Sequence, residues 1–183
     1  MARRLQGGGR GTDLGVSNGM RNNKWTADLA AGGVAGLIAT GPMTFAMKLL
    51  HRELPWLQRY PLPPRQITVE ATRKAGVEDQ LNHSQRRGLT YLSHFSYGTS
   101  VGALYGPVSR QLPGPPAIKG MGYGLLVWTV SYLGLLPALR LLSPATKHPA
   151  RRNALMIAVH LVWGAVLGVV TDYLQSGTRR TIR

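Results

Sequence analysis

The sequence predicts an all-α membrane protein whose four transmembrane helices are arranged as two repeated helical hairpins. Three observations predict it. Four windows, about 29–50, 88–107, 119–141 and 154–174, are apolar over the roughly 20 residues that a helix needs to cross a hydrocarbon core about 30 Å thick. From Gly120 to Leu139 no residue is charged, whereas the helices of a soluble bundle carry a charged outer face. A short pattern, His-x-x-aromatic-Gly-x-x-x-Gly, occurs in the second and fourth windows, as His94, Tyr97, Gly98 and Gly102 and again as His160, Trp163, Gly164 and Gly168. Whole-chain figures, 44% hydrophobic residues and a mean hydropathy of -0.07, hide the spans because they average them with very basic connections.

Residues 1–28 form a basic, Gly/Arg-rich arm with too little apolar surface to fold alone. Its Arg3, Arg4, Arg10, Arg21 and Lys24 are candidates for contact with a partner or with anionic lipid. No apolar core or cleavage site marks the arm as a secretory signal, so it is expected on the mature protein. In the first span, Pro42 removes the hydrogen bond to the Ile38 carbonyl and predicts a kink near Thr40 and Gly41. Trp25 and Trp56 flank that span as headgroup anchors.

The longest connection, 51–87, contains the run Pro61-Leu62-Pro63-Pro64-Arg65, which predicts an extended, non-helical stretch. After it comes a short helix over 66–75, ended by Gly76, which suits either a membrane surface or a solvated loop. The second, third and fourth spans make up the rest of a transmembrane domain, 29–174, and a basic tail covers 175–183. Asp172 is the acid noted near a span end, within reach of interfacial water or Arg179.

Every span carries small residues four apart: Gly32 and Gly36; Gly98, Gly102 and Gly106; Gly120 and Gly124; Gly164 and Gly168. In lipid no hydrophobic force joins helices, so close backbone approach at such seams supplies the association. His94 and His160 stand four residues before Gly98 and Gly164, which puts each imidazole near a seam at a similar depth. Three readings are open for this pair: structural hydrogen bonds to neighbours such as Ser93, Ser96, Thr129 or Ser131; ligation of a haem or pigment, with Tyr97 and Trp163 beside it; or passage of ions or protons. No nucleophile and base set, phosphate loop or metal-ligand spacing names a reaction. The sequence thus predicts neither catalytic residues nor a metal site, and no cofactor beyond that haem or pigment.

The formal charge of +15 is spread through every connection without a recognition helix or stacking platform, which points to anionic lipid rather than nucleic acid. With no cysteine the chain has no disulfide or thiolate chemistry. A bacterial inner membrane is the expected location. Lys and Arg divide ten against twelve between the two sides, so orientation rests on the arm, which is hard to translocate and places both termini in the cytoplasm.

Several stretches resemble the YagU-like inner-membrane proteins: Gly33 to Leu50, the Pro-Leu-Pro-Pro-Arg run, His94 to Gly106, Trp128 to Leu139, Pro144-Ala145-Thr146, and Arg152-Asn153-Ala154-Leu155 leading to His160 and Gly164. The resemblance implies kinship and no particular chemistry. The function expected from the sequence is that of a non-enzymatic accessory or packing subunit in a larger membrane complex, touching other membrane-protein subunits and anionic lipids. The alternative is a haem-, pigment- or ion-binding protein centred on His94 and His160.

Overall fold

The computed structural model describes the backbone of residues 11–181 and the side chains of residues 24–177. Arg3, Arg4, Arg10 and the side chain of Arg21 lie outside these residues, and Lys24 is exposed. Helix α1 (Gly11–Arg52) extends the first span back into the arm, where the sequence predicts no fold. Adding turns to an existing helix avoids the unfavourable nucleation step. It stays helical through Pro42, with the Thr40 and Thr44 hydroxyls donating to the carbonyls of Gly36 and Thr40.

Helix α2 (Pro63–Lys74) corrects the expectation of a non-helical proline run. Pro63 and Pro64 are its first residues, where the fixed φ suits a helix and the missing N–H groups have no intrahelical partner to lose. Helix α3 (His83–Ser109) begins at a reciprocal capping box: the Asn82 side chain accepts from the Gln85 N–H while the Gln85 side chain accepts from the Asn82 N–H. Helix α4 (Pro116–Thr129) widens into a π-helical segment, Val130–Leu135, and closes with one turn, α5 (Leu136–Ala138). That turn ends on Arg140 in the left-handed region (φ 53°), with the Leu141 and Arg140 N–H groups donating back to Leu136 and Pro137. Helix α6 (Ala150–Thr181) is the last described element.

Among the described residues there is no strand, and three stretches are long and apolar enough to cross a membrane: Lys24–Arg52, Pro116–Ala138 and Ala150–Gly177. Helix α3 has the length, but Ser93, Ser96, Thr99 and Ser100 dilute its apolar character. Large apolar side chains such as Leu37, Phe45, Leu126, Val130 and Val169 point outward, the pattern of helices that are apolar all round. These features are consistent with a membrane protein.

Helix α1 packs along α3 and α6, and α4 packs along α6, while α3 and α4 touch only sparsely. Glycines set both close crossings. A Cβ on Gly32 would overlap the Gly102 carbonyl oxygen, and one on Gly36 that of Gly98; likewise Gly120 faces the Gly164 carbonyl and Gly124 that of His160. Matched by these contacts, Gly102 and Gly106 correspond to Gly164 and Gly168, so Gly98 corresponds to His160. That register differs by one turn from the match of Gly98 with Gly164 suggested by the repeated pattern. Helix α3 has three glycines in its row and α6 has two, so the pattern by itself leaves open which pair forms the crossing.

At one end, Asp28 is buried under Gly106 and takes a bidentate ion pair from Arg110, with both contacts at 2.6 Å. Asp28, which the sequence reading passed over, is the acid tied into the bundle, whereas Asp172 is exposed.

Candidate ligand cavity

The sparse contact between α3 and α4 leaves a cavity of about 310 Å³. Its walls come from all four long helices, including Met43 and Met47 of α1, Val101 of α3, Val127 of α4 and Trp163 of α6; Pro64 and Ile67 of α2 close one end. The π-helical segment contributes Ser131, Tyr132 and Leu135. An extra residue in one turn re-aims side chains, and such π segments are frequent at functional sites.

Both sequence-singled histidines line this cavity, with Tyr97 and Trp163 beside them. His160 is 6% exposed, and its Nδ1 lies 2.7 Å from the Met156 carbonyl. A carbonyl only accepts, so Nδ1 donates and the neutral ring keeps its lone pair on Nε2. The Tyr132 ring meets the His160 ring edge to face at 5.8 Å. His94 Nε2 is buried with no hydrogen-bond partner among the described residues, and so is Trp163 Nε1. Tyr97 joins α3 to the π segment through its hydroxyl, 2.7 Å from Ser131 Oγ, and the Tyr123 hydroxyl donates to the Val101 carbonyl across the same gap.

The nine seam glycines divide from the histidine group in role. They bring backbones together, and among them only Gly98 lines the cavity. Among the described residues no three of His, Cys, Asp and Glu gather as metal ligands.

A buried cation anchors the lid, and sequence reasoning missed it by counting Arg152 as one more loop charge. Arg152 is 2% exposed, and among the described residues no carboxylate forms an ion pair with it. Its guanidinium donates to the carbonyls of Gln58 (3.4 Å), Tyr60 (3.2 Å) and Pro61 (2.7 Å) and stacks 3.6 Å over the Tyr60 ring. The loop that leads into α2 is thereby fastened to the start of α6, while Thr68 of α2 meets Ser93 of α3 at 3.2 Å. The hints in the sequence were an arginine directly ahead of an apolar span and its place in the Arg152-Asn153-Ala154-Leu155 stretch that resembles the YagU-like proteins.

The Tyr60 hydroxyl also lies 2.8 Å from His148 Nδ1, and His148 Nε2 lies 3.2 Å from the Ser143 carbonyl. Nε2 therefore donates to Ser143, and Nδ1 accepts from Tyr60. Burial pushes the His148 imidazole below its ordinary range and the Arg152 guanidinium lowers it further, against the Ser143 hydrogen bond, which raises it. A histidine lowered in the closed state leaves closure at full strength above the ordinary histidine range, and closure weakens as pH falls toward the lowered value. The protection factors of the 55–62 backbone, that is, exchange corrected for its intrinsic slowing at lower pH, should fall on going from pH 7.5 to pH 5, and His148→Gln should flatten that dependence. An unchanged pH response in the variant would assign it to a group other than His148.

No curated protein and no solved structure matches the chain. The family of unknown function DUF6789 matches residues 26–182, which takes in all the helices that build the cavity and leaves out most of the arm. The chain belongs to the DUF6789 family.

Proposed function

We propose that this is a non-catalytic membrane protein that binds a small lipophilic molecule between its helices. It spans the membrane four times, as two related hairpins with α3 as the least apolar span. It lies in a bacterial cytoplasmic membrane with both termini inside, as the arm and the resemblance to YagU-like proteins imply. The observation that carries the reading is the cavity itself: about 310 Å³ behind mostly apolar walls, with the unpartnered Nε2 of His94 and, on His160, an Nε2 lone pair left over by the bond of Nδ1 to Met156. Binding sites commonly combine an apolar hollow with a few convergent polar atoms. The packing-subunit role rested on the arm and on the glycine seams; the seam glycines meet helices of the same chain, and most of the arm's basic side chains lie outside the described residues. A haem or pigment, the alternative raised by the two histidines, is one member of the lipophilic class.

The test is solvent extraction of the protein purified in mild detergent, then mass spectrometry and an absorption spectrum. A lipophilic molecule near one per chain is expected, reduced several-fold in Ile67→Trp or Leu135→Trp, which fill the cavity from its lid and from the π segment. Equal recovery from wild type and both filled variants would overturn the proposal. So would co-purification of stoichiometric protein partners with no small molecule, which would return the chain to the accessory role.

A further inference from the structure

We infer that the ligand is a lipid-soluble phenol, whose ring hydroxyl donates to Nε2 of His160. The inference rests on the binding role proposed above and adds the chemistry of the head group. Four observations support it. His160 spends its one proton on the Met156 carbonyl, so whatever meets Nε2 must bring a proton of its own, which excludes simple ketones, ethers and quinones at that atom, while the unpartnered Trp163 Nε1–H can donate to the same hydroxyl oxygen. No Asp, Glu, Lys or Arg lines the cavity, and burying an unpaired charge there is strongly unfavourable, so the ligand is neutral. Tyr97, Tyr132 and Trp163 line the wall around His160, a setting that favours a flat ring in stacked or edge-on contact.

The fourth observation is the space and its entrance. At roughly 30 Å³ each, about ten waters would fill the volume, yet few of them would find the two to four polar partners that a buried water needs. A ring with a short alkyl chain replaces them with apolar contact. An entrance fits between α3 and α4, which touch only sparsely, and the exposed side chains Leu92 and Leu104 of α3, Leu126 of α4 and Val130 of the π segment are apolar, so the ligand would arrive from the lipid phase. His94 Nε2, buried and unpartnered among the described residues, offers a second nitrogen to the polar end.

The probes are para-octylphenol and its methyl ether, which share shape and greasiness and differ in the donating hydrogen. Binding to the full chain in detergent is read from quenching of tryptophan emission, since Trp163 lines the cavity. The phenol should bind about tenfold more tightly than the ether, the worth of one buried hydrogen bond. His160→Leu should bring that ratio close to one, and His160→Gln, whose amide oxygen still accepts, should keep part of it. Circular dichroism confirms that each variant is folded. If His160→Leu fails to fold, the wild-type ratio and the Gln variant decide. Equal affinity of wild type for phenol and ether overturns the inference and leaves the binding role standing. Failure of wild type to bind either probe, with no small molecule in the extract, overturns both. A visible haem or pigment band in the purified protein overturns the phenol alone.

Discussion

Gly120→Ala should destabilise the bundle markedly, while Gly122→Ala, two residues along the same helix, should leave it unchanged or slightly firmer. The first added methyl would overlap the Gly164 carbonyl oxygen, with the Gly168 nitrogen 2.8 Å away, and both are backbone atoms that move only if α4 and α6 separate. The second would meet nothing within 4 Å. Overpacking of this kind costs about 1–3 kcal/mol or somewhat more, against a gain of up to roughly 1 kcal/mol for Gly→Ala at an open helical site. Gly36→Ala should behave like Gly120→Ala, since its Cβ would run into the Gly98 carbonyl. Thermal unfolding in detergent measures all three. Similar midpoints for Gly120→Ala and Gly122→Ala would show that the crossings bear little of the stability.

Arg152→Leu should lower stability by about 3 kcal/mol, because it strips three carbonyls of a charge-assisted donor and the Tyr60 ring of its cation. Arg152→Lys should recover only a fraction, since an ammonium cannot reach three carbonyls as a planar fork and stack on a ring together. The loss should be local as well as global: backbone exchange at 55–62 should rise in both variants, and α2 should loosen over Pro64 and Ile67. A Lys variant as stable as wild type, with a loop equally protected, would make the guanidinium geometry irrelevant.

The seams and the histidines were legible in the sequence for one reason. Residues three or four apart share a helix face whatever the helix packs against, so Gly120 with Gly124, or His160 with Gly164, are placed together by periodicity alone. That logic located the glycine rows and put His94, Tyr97, His160 and Trp163 near one another, where they line the cavity. It stopped at the register. The repeated pattern suggests Gly98 opposite the same point as Gly164, and the crossing sets it one turn away. The proline run shows the converse limit. Pro63 and Pro64 serve equally well in an extended strand of chain or as the first residues of α2, and the helix-forming residues from Arg65 to Lys74 decide between the two.

By itself, then, the sequence determined the all-helical class, the long apolar helices and the faces on which glycine allows contact, because these depend on local periodicity and composition. The tertiary structure alone decided that α3 and α4 stay apart over a cavity, that Asp28 pairs with Arg110 across 82 positions, and that Arg152 reaches carbonyls more than 90 positions away. Long-range pairings of this kind depend on how whole helices are placed. A charged residue looks the same in a sequence whether water or three loop carbonyls receive its hydrogens.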